Sequence, residues 1–323
     1  MLLRSMVVGR ARLLLVILSC CSVLWGCASV EDNSPRRQAV EWADLPEESV
    51  AVCRINGREV LRYQYHRRWA LPHIWPLISP SGKSMLVQKT SPFPHHRSLW
   101  LADKLRLADG PVIDYYHEWK NLIDPKRPEL GHHSYIRHDA LSIQTNGPQC
   151  SLASTDSTWI ARGEPVMKQI CTYAVSDLGH REYSLHMKWE WIAAYGDIHF
   201  HSDWVHYGWP FIRMSKAFCG TSGGTIVSDT GARGQADTNK KVAKWIDYSN
   251  TVDGVSEGLA VFVPDDGRPR RWLTREYGTF GPRRPKLFDG TKFVLKEGEV
   301  LQGEVEIVVH RGNAKTARIG HRN

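Results

Sequence analysis

Long apolar runs are scarce in this chain. Past residue 27 no stretch approaches the roughly 18 consecutive apolar residues of a membrane-crossing helix, so the body of the protein contains no such span. Cysteine is scarce as well. Beyond Cys27 there remain Cys53, Cys150, Cys171 and Cys219, whose spacings match no zinc motif. In an oxidising compartment these four make two disulfides, in any of three pairings, or none. Nucleophile-elbow, phosphate-loop and dinucleotide signatures are absent, which removes three large enzyme classes. Internal repeats and low-complexity tracts are absent too. Charge is not concentrated in one sign. The formal net charge is +8, with Arg4, Arg10 and Arg12 supplying three of the positive charges, and this modest, scattered excess does not indicate nucleic acid. What is present is ordinary globular material: 323 residues, 42% apolar and 24% charged, enough to bury a core without disulfide staples.

The start of the chain reads as an export signal. Three arginines precede the apolar stretch Leu13–Leu18, and the segment ends at Leu24-Trp25-Gly26-Cys27. Residues 13–26 are too short to cross a bilayer, and the last four residues resemble a bacterial lipoprotein box with Cys27 as the lipidated residue. A plain secretory signal cut nearby is the alternative. The expected organisation is therefore a signal peptide at 1–26, a lipidated Cys27 and tether over 27–49, one folded domain at 50–312 and a basic tail at 313–323. That places the protein outside the cytoplasm, in the cell envelope, held to a membrane surface by acyl chains alone.

Period-2 alternation dominates the body. In Glu182–Ile192, Tyr183, Leu185, Met187, Trp189 and Trp191 share one face, and Ser184, His186, Lys188 and Glu190 share the other. Val300–His310 alternates similarly, and 258–263 is a short buried run. Further strands are expected at 50–55, 58–65, 138–145, 166–175, 198–207, 242–248 and 291–295. Turn chemistry separates them at Asn56-Gly57, Asn146-Gly147-Pro148, Asp253-Gly254, Asp265-Asp266-Gly267 and Asp289-Gly290. The expected fold class is all-β, a large antiparallel β-sandwich, with a galactose-mutarotase-like supersandwich as one form of it.

Thirteen of the fifteen histidines lie between His66 and His206, and twelve of the thirteen tryptophans follow the signal, which directs the search for a site. Surfaces rich in Trp, His and Arg suit sugars, since rings stack on apolar sugar faces while polar edges meet hydroxyls. The same tryptophans also serve to fill a sandwich core. Three clusters stand out. Pro94-His95-His96-Arg97 precedes Trp100. Adjacent His side chains on an extended strand point oppositely, so both meet one divalent metal ion only if the segment bends, as Pro94 allows. His199, His201 and Asp203 share one strand face at spacings of two, a sensible metal set; a solvated polar face is the plainer reading. His132 follows Gly131 in the third cluster, with His133 and His138 close by. Candidate acids and bases near the clusters are Asp109, Asp114, Glu118 and Asp203.

Several motifs in one order carry a resemblance. Trp75-Pro-Leu-Ile-Ser-Pro-Ser-Gly82 is followed by Pro92-Phe-Pro-His-His-Arg-Ser-Leu-Trp100, then by Asp109-Gly110 and Asp114-Tyr-Tyr116. Gly231-Ala-Arg-Gly-Gln-Ala-Asp237, Lys241-Val-Ala-Lys-Trp-Ile-Asp-Tyr-Ser249, Asp253-Gly254 and Arg275-Glu-Tyr-Gly278 complete the series. From about residue 50 to 310 the chain resembles an exported bacterial family of unknown function that carries the label "PmoA", or methane oxygenase PmoA. The resemblance implies a β-sandwich. Methane oxidation is set aside, because a membrane methane oxygenase subunit needs several spanning helices. There are departures: Phe93 replaces a usual His or Asp, Ser98 a Gly, and Asn239-Lys240 a Trp-Gly pair. His206-Tyr207-Gly208-Trp209 stands where Lys-Glu-Gly-Gly is usual, so an acidic residue is missing.

Two functions follow as expectations. One is an enzyme that cleaves glycosidic linkages, a hydrolase or lyase assisted by one divalent metal ion. His95 or His96 acts as ligand or general base, Arg97 holds a substrate oxygen, and Asp114 orients an imidazole. Trp100, His132, Trp245 and Arg275 meet the substrate. The other is a non-catalytic glycan-binding lipoprotein using the same aromatics. In both, the partner is a glycan or oligosaccharide, an anionic one suiting the basic surface.

Overall fold

The computed structural model describes residues 40–201, 208–285 and 293–322. The signal segment, Cys27 and Asp203 lie outside the described residues. Twenty strands follow one another among the described residues: β1 (Val40–Leu45), β2 (Val50–Ile55), β3 (Arg58–Gln64), β4 (His73–Leu77), β5 (Leu99–Trp100), β6 (Lys104–Leu107) and β7 (Ile113–Asp114) come first. Next are β8 (Ser134–Thr145), β9 (Cys150–Ala161), β10 (Glu164–Gly179), β11 (Glu182–Ile192), β12 (Ile198–His201), β13 (Phe211–Arg213) and β14 (Thr225–Ser228). The last are β15 (Trp245–Val252), β16 (Val255–Phe262), β17 (Arg270–Thr274), β18 (Thr279–Pro285), β19 (Phe293–Leu295) and β20 (Val300–Arg311).

All pairings are antiparallel and build three sheets. One has eight strands in the order β1-β2-β3-β4-β5-β13-β18-β17, and a second has eight in the order β14-β15-β16-β20-β11-β10-β9-β8. A smaller sheet runs β19-β12-β6-β7. The all-β, antiparallel class read from the alternation is the one observed. Tyr183, Leu185, Met187, Trp189 and Trp191 of β11 are all buried in one apolar cluster with Val60, Leu61 and Leu77 of the first sheet. Across that core the Tyr183 hydroxyl donates toward the carbonyls of Val60 (3.1 Å) and Ile78 (2.8 Å), so the ring's polar end is satisfied inside the sandwich. Asn56-Gly57 and Asp253-Gly254 both carry positive φ at the two turn positions, as a tight hairpin requires.

Two boundaries differ from the expected ones. Among the described residues the first strand, β1, already lies inside the stretch read as tether: Val40 and Trp42 alternate inward and β1 pairs with β2. At the other end, Ala317 and Ile319 of the expected basic tail are buried against Ala260, Phe262 and Val308, on the outer side of the second sheet. Interspersed charged residues, Glu41 and Asp44 in the first segment and Lys315 and Arg318 in the second, hid both in the composition.

Candidate active site

The segment between β4 and β5 positions the histidine pair. It is a turn rather than an extended strand: the His96 N–H donates to the Phe93 carbonyl (3.0 Å), and the Lys89 N–H donates to the His96 carbonyl (2.9 Å). The two imidazoles therefore sit edge to face, 4.7 Å apart, instead of on opposite faces. His96 is 2% exposed and points inward, with one ring nitrogen 3.1 Å from the Tyr116 hydroxyl and the other 3.3 Å from Thr279 Oγ1. Burial pushes its pKa down to about 2, so it is a neutral structural imidazole with both nitrogens engaged. Phe93, at the departure from the family pattern, stacks on His96 (4.8 Å) and on Tyr277 (5.2 Å).

His95 faces a different neighbourhood. Its ring lies 5.2 Å from Tyr116 and 4.7 Å from His117, and burial followed by the neighbouring His117 lowers its pKa to about 4. His117 comes from the chain just after β7, where Asp114 ends the strand and a 3₁₀ turn, Glu118–Asn121, begins. Asp114 Oδ2 accepts from His117 Nδ1 and from Lys120 Nζ, each at 2.9 Å, while Oδ1 accepts from the His117 N–H at 3.0 Å. Burial opposes ionisation of Asp114, but these donors outweigh it and hold the carboxyl well below the usual carboxylate range. With Nδ1 bound to a fixed carboxylate, His117 presents Nε2 as its remaining proton-accepting atom, the arrangement used by general-base imidazoles. Neither His117 nor Lys120 was singled out from the sequence. The signal was there in the i, i+3, i+6 spacing from Asp114 on one turn.

Arg97 lies inside the protein. It is 2% exposed, ion-paired to Glu118, and lies 5.2 Å over the Trp69 ring. Burial lowers the pKa of Arg97 and raises that of Glu118, and the attraction between the two charges opposes both shifts. Around this pair, Arg97 Nε and Nη1, Glu118 Oε2, Trp69 Nε1, His132 Nδ1 and His95 Nδ1 are buried with no hydrogen-bond partner among the described residues. So many unmatched buried polar atoms in contacting residues mark a place where water or a ligand completes the bonding. The structure thus gathers His95, His96, Arg97 and Asp114, and His132 joins them at the edge, its pKa lowered to about 4 by burial and by Arg97.

Other expected site residues are enclosed in the core or stand in other parts of the fold. Trp100 is 1% exposed and packs between Tyr116 and Phe211, so it offers no face to a sugar. Trp245 packs toward Phe262 and the cluster under the C-terminal segment. Arg275 donates from Nη1 to the Thr274 carbonyl (3.2 Å). His199 and His201 share the half-buried face of β12, opposite Arg106 and Lys104 of β6, with Asp203 outside the described residues. Asp109 sits in an exposed turn. Among the described residues no group of three or more His, Cys, Asp or Glu is arranged to hold a metal ion. His206 and Tyr207 are likewise outside the described residues, while Trp209 is a core residue whose Nε1 donates to Asp103 (2.8 Å), the buried partner of Arg284.

The family model described as "Family of unknown function (DUF6807)" matches residues 51–322. The chain belongs to that family. The family of unknown function expected from the motifs is therefore found, and the methane-oxygenase label is no part of its description. Comparison with curated proteins gives no match. Among solved structures, the chain is similar to a GH36 α-galactosidase from Geobacillus stearothermophilus (8% identity, TM-score 0.46, 86% of this chain and 41% of that one). It is also similar to a galactose 1-epimerase from Lactobacillus acidophilus NCFM (7% identity, TM-score 0.36, 85% and 100%). The chain spans 41% of the length of that α-galactosidase.

Proposed function

We propose that this protein is an exported, envelope-held enzyme that cleaves glycosidic linkages of an acidic carbohydrate by acid–base elimination, with His117 as the base. The observation that carries this reading is the Asp114 carboxylate, which holds His117 Nδ1 and Lys120 Nζ at 2.9 Å beside the buried His95. Hydrolysis by two carboxylates is less well supported, because Asp114 is spent on His117 and Lys120, and Glu118 on Arg97. In the elimination, His117 Nε2 removes the proton on the carbon next to a uronate carboxylate. The electron pair forms a carbon–carbon double bond as the glycosidic C–O bond breaks, and the leaving oxygen takes a proton from solvent or a neighbouring acid. Half-exposed Lys120 supplies positive charge for the substrate carboxylate. Envelope location rests on the leader and Cys27, as in the exported PmoA-like proteins whose motifs it resembles.

Purified protein incubated with uronate-containing and neutral polysaccharides is expected to release unsaturated products from the acidic ones only. His117→Gln is expected to lower kcat by about 100-fold or more with the melting temperature unchanged. Reducing ends without unsaturation would make it a hydrolase. Saturable binding with no turnover would make it a glycan-binding protein.

A further inference from the structure

Beside the Arg97–Glu118 pair lies a cavity of about 230 Å³. It is bounded by the end of β3, the loop 66–72 and the start of β8, and the Ile136 N–H donates to the Ala70 carbonyl (2.7 Å) to hold loop and strand together. Its walls include Tyr65, Trp69, Tyr135 and His138, and its charged residues are Arg67 and Arg137. No acidic side chain lines it. Arg137 is occupied by Asp139 (2.6 Å), but exposed Arg67 makes no ion pair or side-chain hydrogen bond among the described residues. Tyr65 is held in place by its hydroxyl on Asp44 (2.6 Å) and by His138, 4.2 Å away ring to ring. Trp69 forms the wall shared with the candidate active site. Its indole is 9% exposed, with Nε1 lacking a partner, and Arg97 and Lys89 lie over it at 5.2 and 4.4 Å.

Half-buried tyrosines and a free guanidinium suit a charged sugar ring. The aromatic rings meet its apolar face and the guanidinium its acid group. The volume is below the ~300–1,000 Å³ of drug-sized sites and suits one sugar unit. We propose that this cavity is a subsite for one carboxylated or sulfated sugar of a longer chain, recognised by Arg67, Tyr65 and Tyr135. The proposal rests on the carbohydrate reading above and extends it to a second place on the molecule, joined to the first through Trp69.

The test is calorimetric titration of the full protein with oligogalacturonate, with heparin-derived oligosaccharide and with neutral malto-oligosaccharide. One acidic probe is expected to bind saturably, at least about tenfold more tightly than the neutral one, and less tightly as salt is added. The two acidic probes separate carboxylate from sulfate recognition. Arg67→Glu and Tyr135→Ala are expected to weaken binding about tenfold each. Arg67 is exposed, so that variant keeps the fold even if Tyr135→Ala does not. Equal affinity for neutral and acidic probes, no saturable binding of either acidic probe, or unchanged binding in Arg67→Glu would overturn the subsite. If His117→Gln abolishes turnover while Arg67→Glu binds normally, the subsite fails and the catalytic reading stands. Loss of binding in Arg67→Glu with full turnover in His117→Gln gives the converse.

Discussion

Trp100 and His117 show how little residue type alone says about role. Trp100 follows a histidine pair in a motif and was expected to stack on sugar, yet its ring is enclosed by Tyr116 (6.0 Å) and Phe211 (5.2 Å). Its contribution is core volume. Trp100→Ala is expected to destabilise the protein by about 3–5 kcal/mol in denaturant titrations, with glycan affinity of the folded fraction unchanged. A selective loss of affinity at full stability would return Trp100 to the site. His117 carries no motif, and its importance appears only when the turn after β7 brings its Nδ1 onto Asp114. The His95-His96 dipeptide was legible as a candidate. Which of the two faces the site was not, because that depends on a turn held by the Phe93 carbonyl and on Thr279, far away in the chain.

At the scale of the strand, alternation proved a dependable guide wherever one face is apolar. The five inward residues of β11 and the run of β20 are where the pattern placed them, in register with each other, Trp189 opposite Gly303. That pairing explains a glycine inside a long strand: a Cβ on Gly303 would stand 2.2 Å from Trp189 Cζ2. Gly303→Ala is therefore expected to cost about 1–3 kcal/mol by displacing the indole, read as a lower denaturant midpoint with an unchanged slope. An unaffected midpoint would mean the indole moves freely. The apolar pattern missed β9, Cys150–Ala161, because its inward positions there are Ser151, Ala153, Thr155 and Ser157 rather than large apolar residues. It failed again for two-residue strands such as β5 and β7, which are too short to show a period and exist because neighbours pair with them.

For the molecule as a whole, four imidazoles from three segments are buried or half-buried in their neutral form. Burial lowers the pKa of His73 to about 3, of His95 and His132 to about 4, and of His96 to about 2, against an ordinary 6.5. Each folded value lies below the unfolded one, so between about pH 6.5 and 4 the unfolded chain binds more protons than the folded one. The stabilisation is complete above pH 6.5 and drains away as the pH falls. Unfolding free energy is expected to be at least about 2 kcal/mol lower at about pH 5 than at about pH 7, and a flat profile over that interval would show these imidazoles to be solvated.

The sequence by itself determined the strand class, the tight turns at Asn56-Gly57 and Asp253-Gly254, and the neighbourhood of the site. These follow from interactions a few residues in range: side-chain alternation, positive φ at paired turn positions, and a dense local run of His and Arg. Tertiary structure alone decided that Arg97 is buried against Glu118 and that Trp100 is core. It also decided that Trp69, in the loop before β4, lies under Lys89 and Arg97. Those outcomes depend on which surfaces lose their water when the sheets close over one another, and burial of that kind is a property of segments distant in the chain.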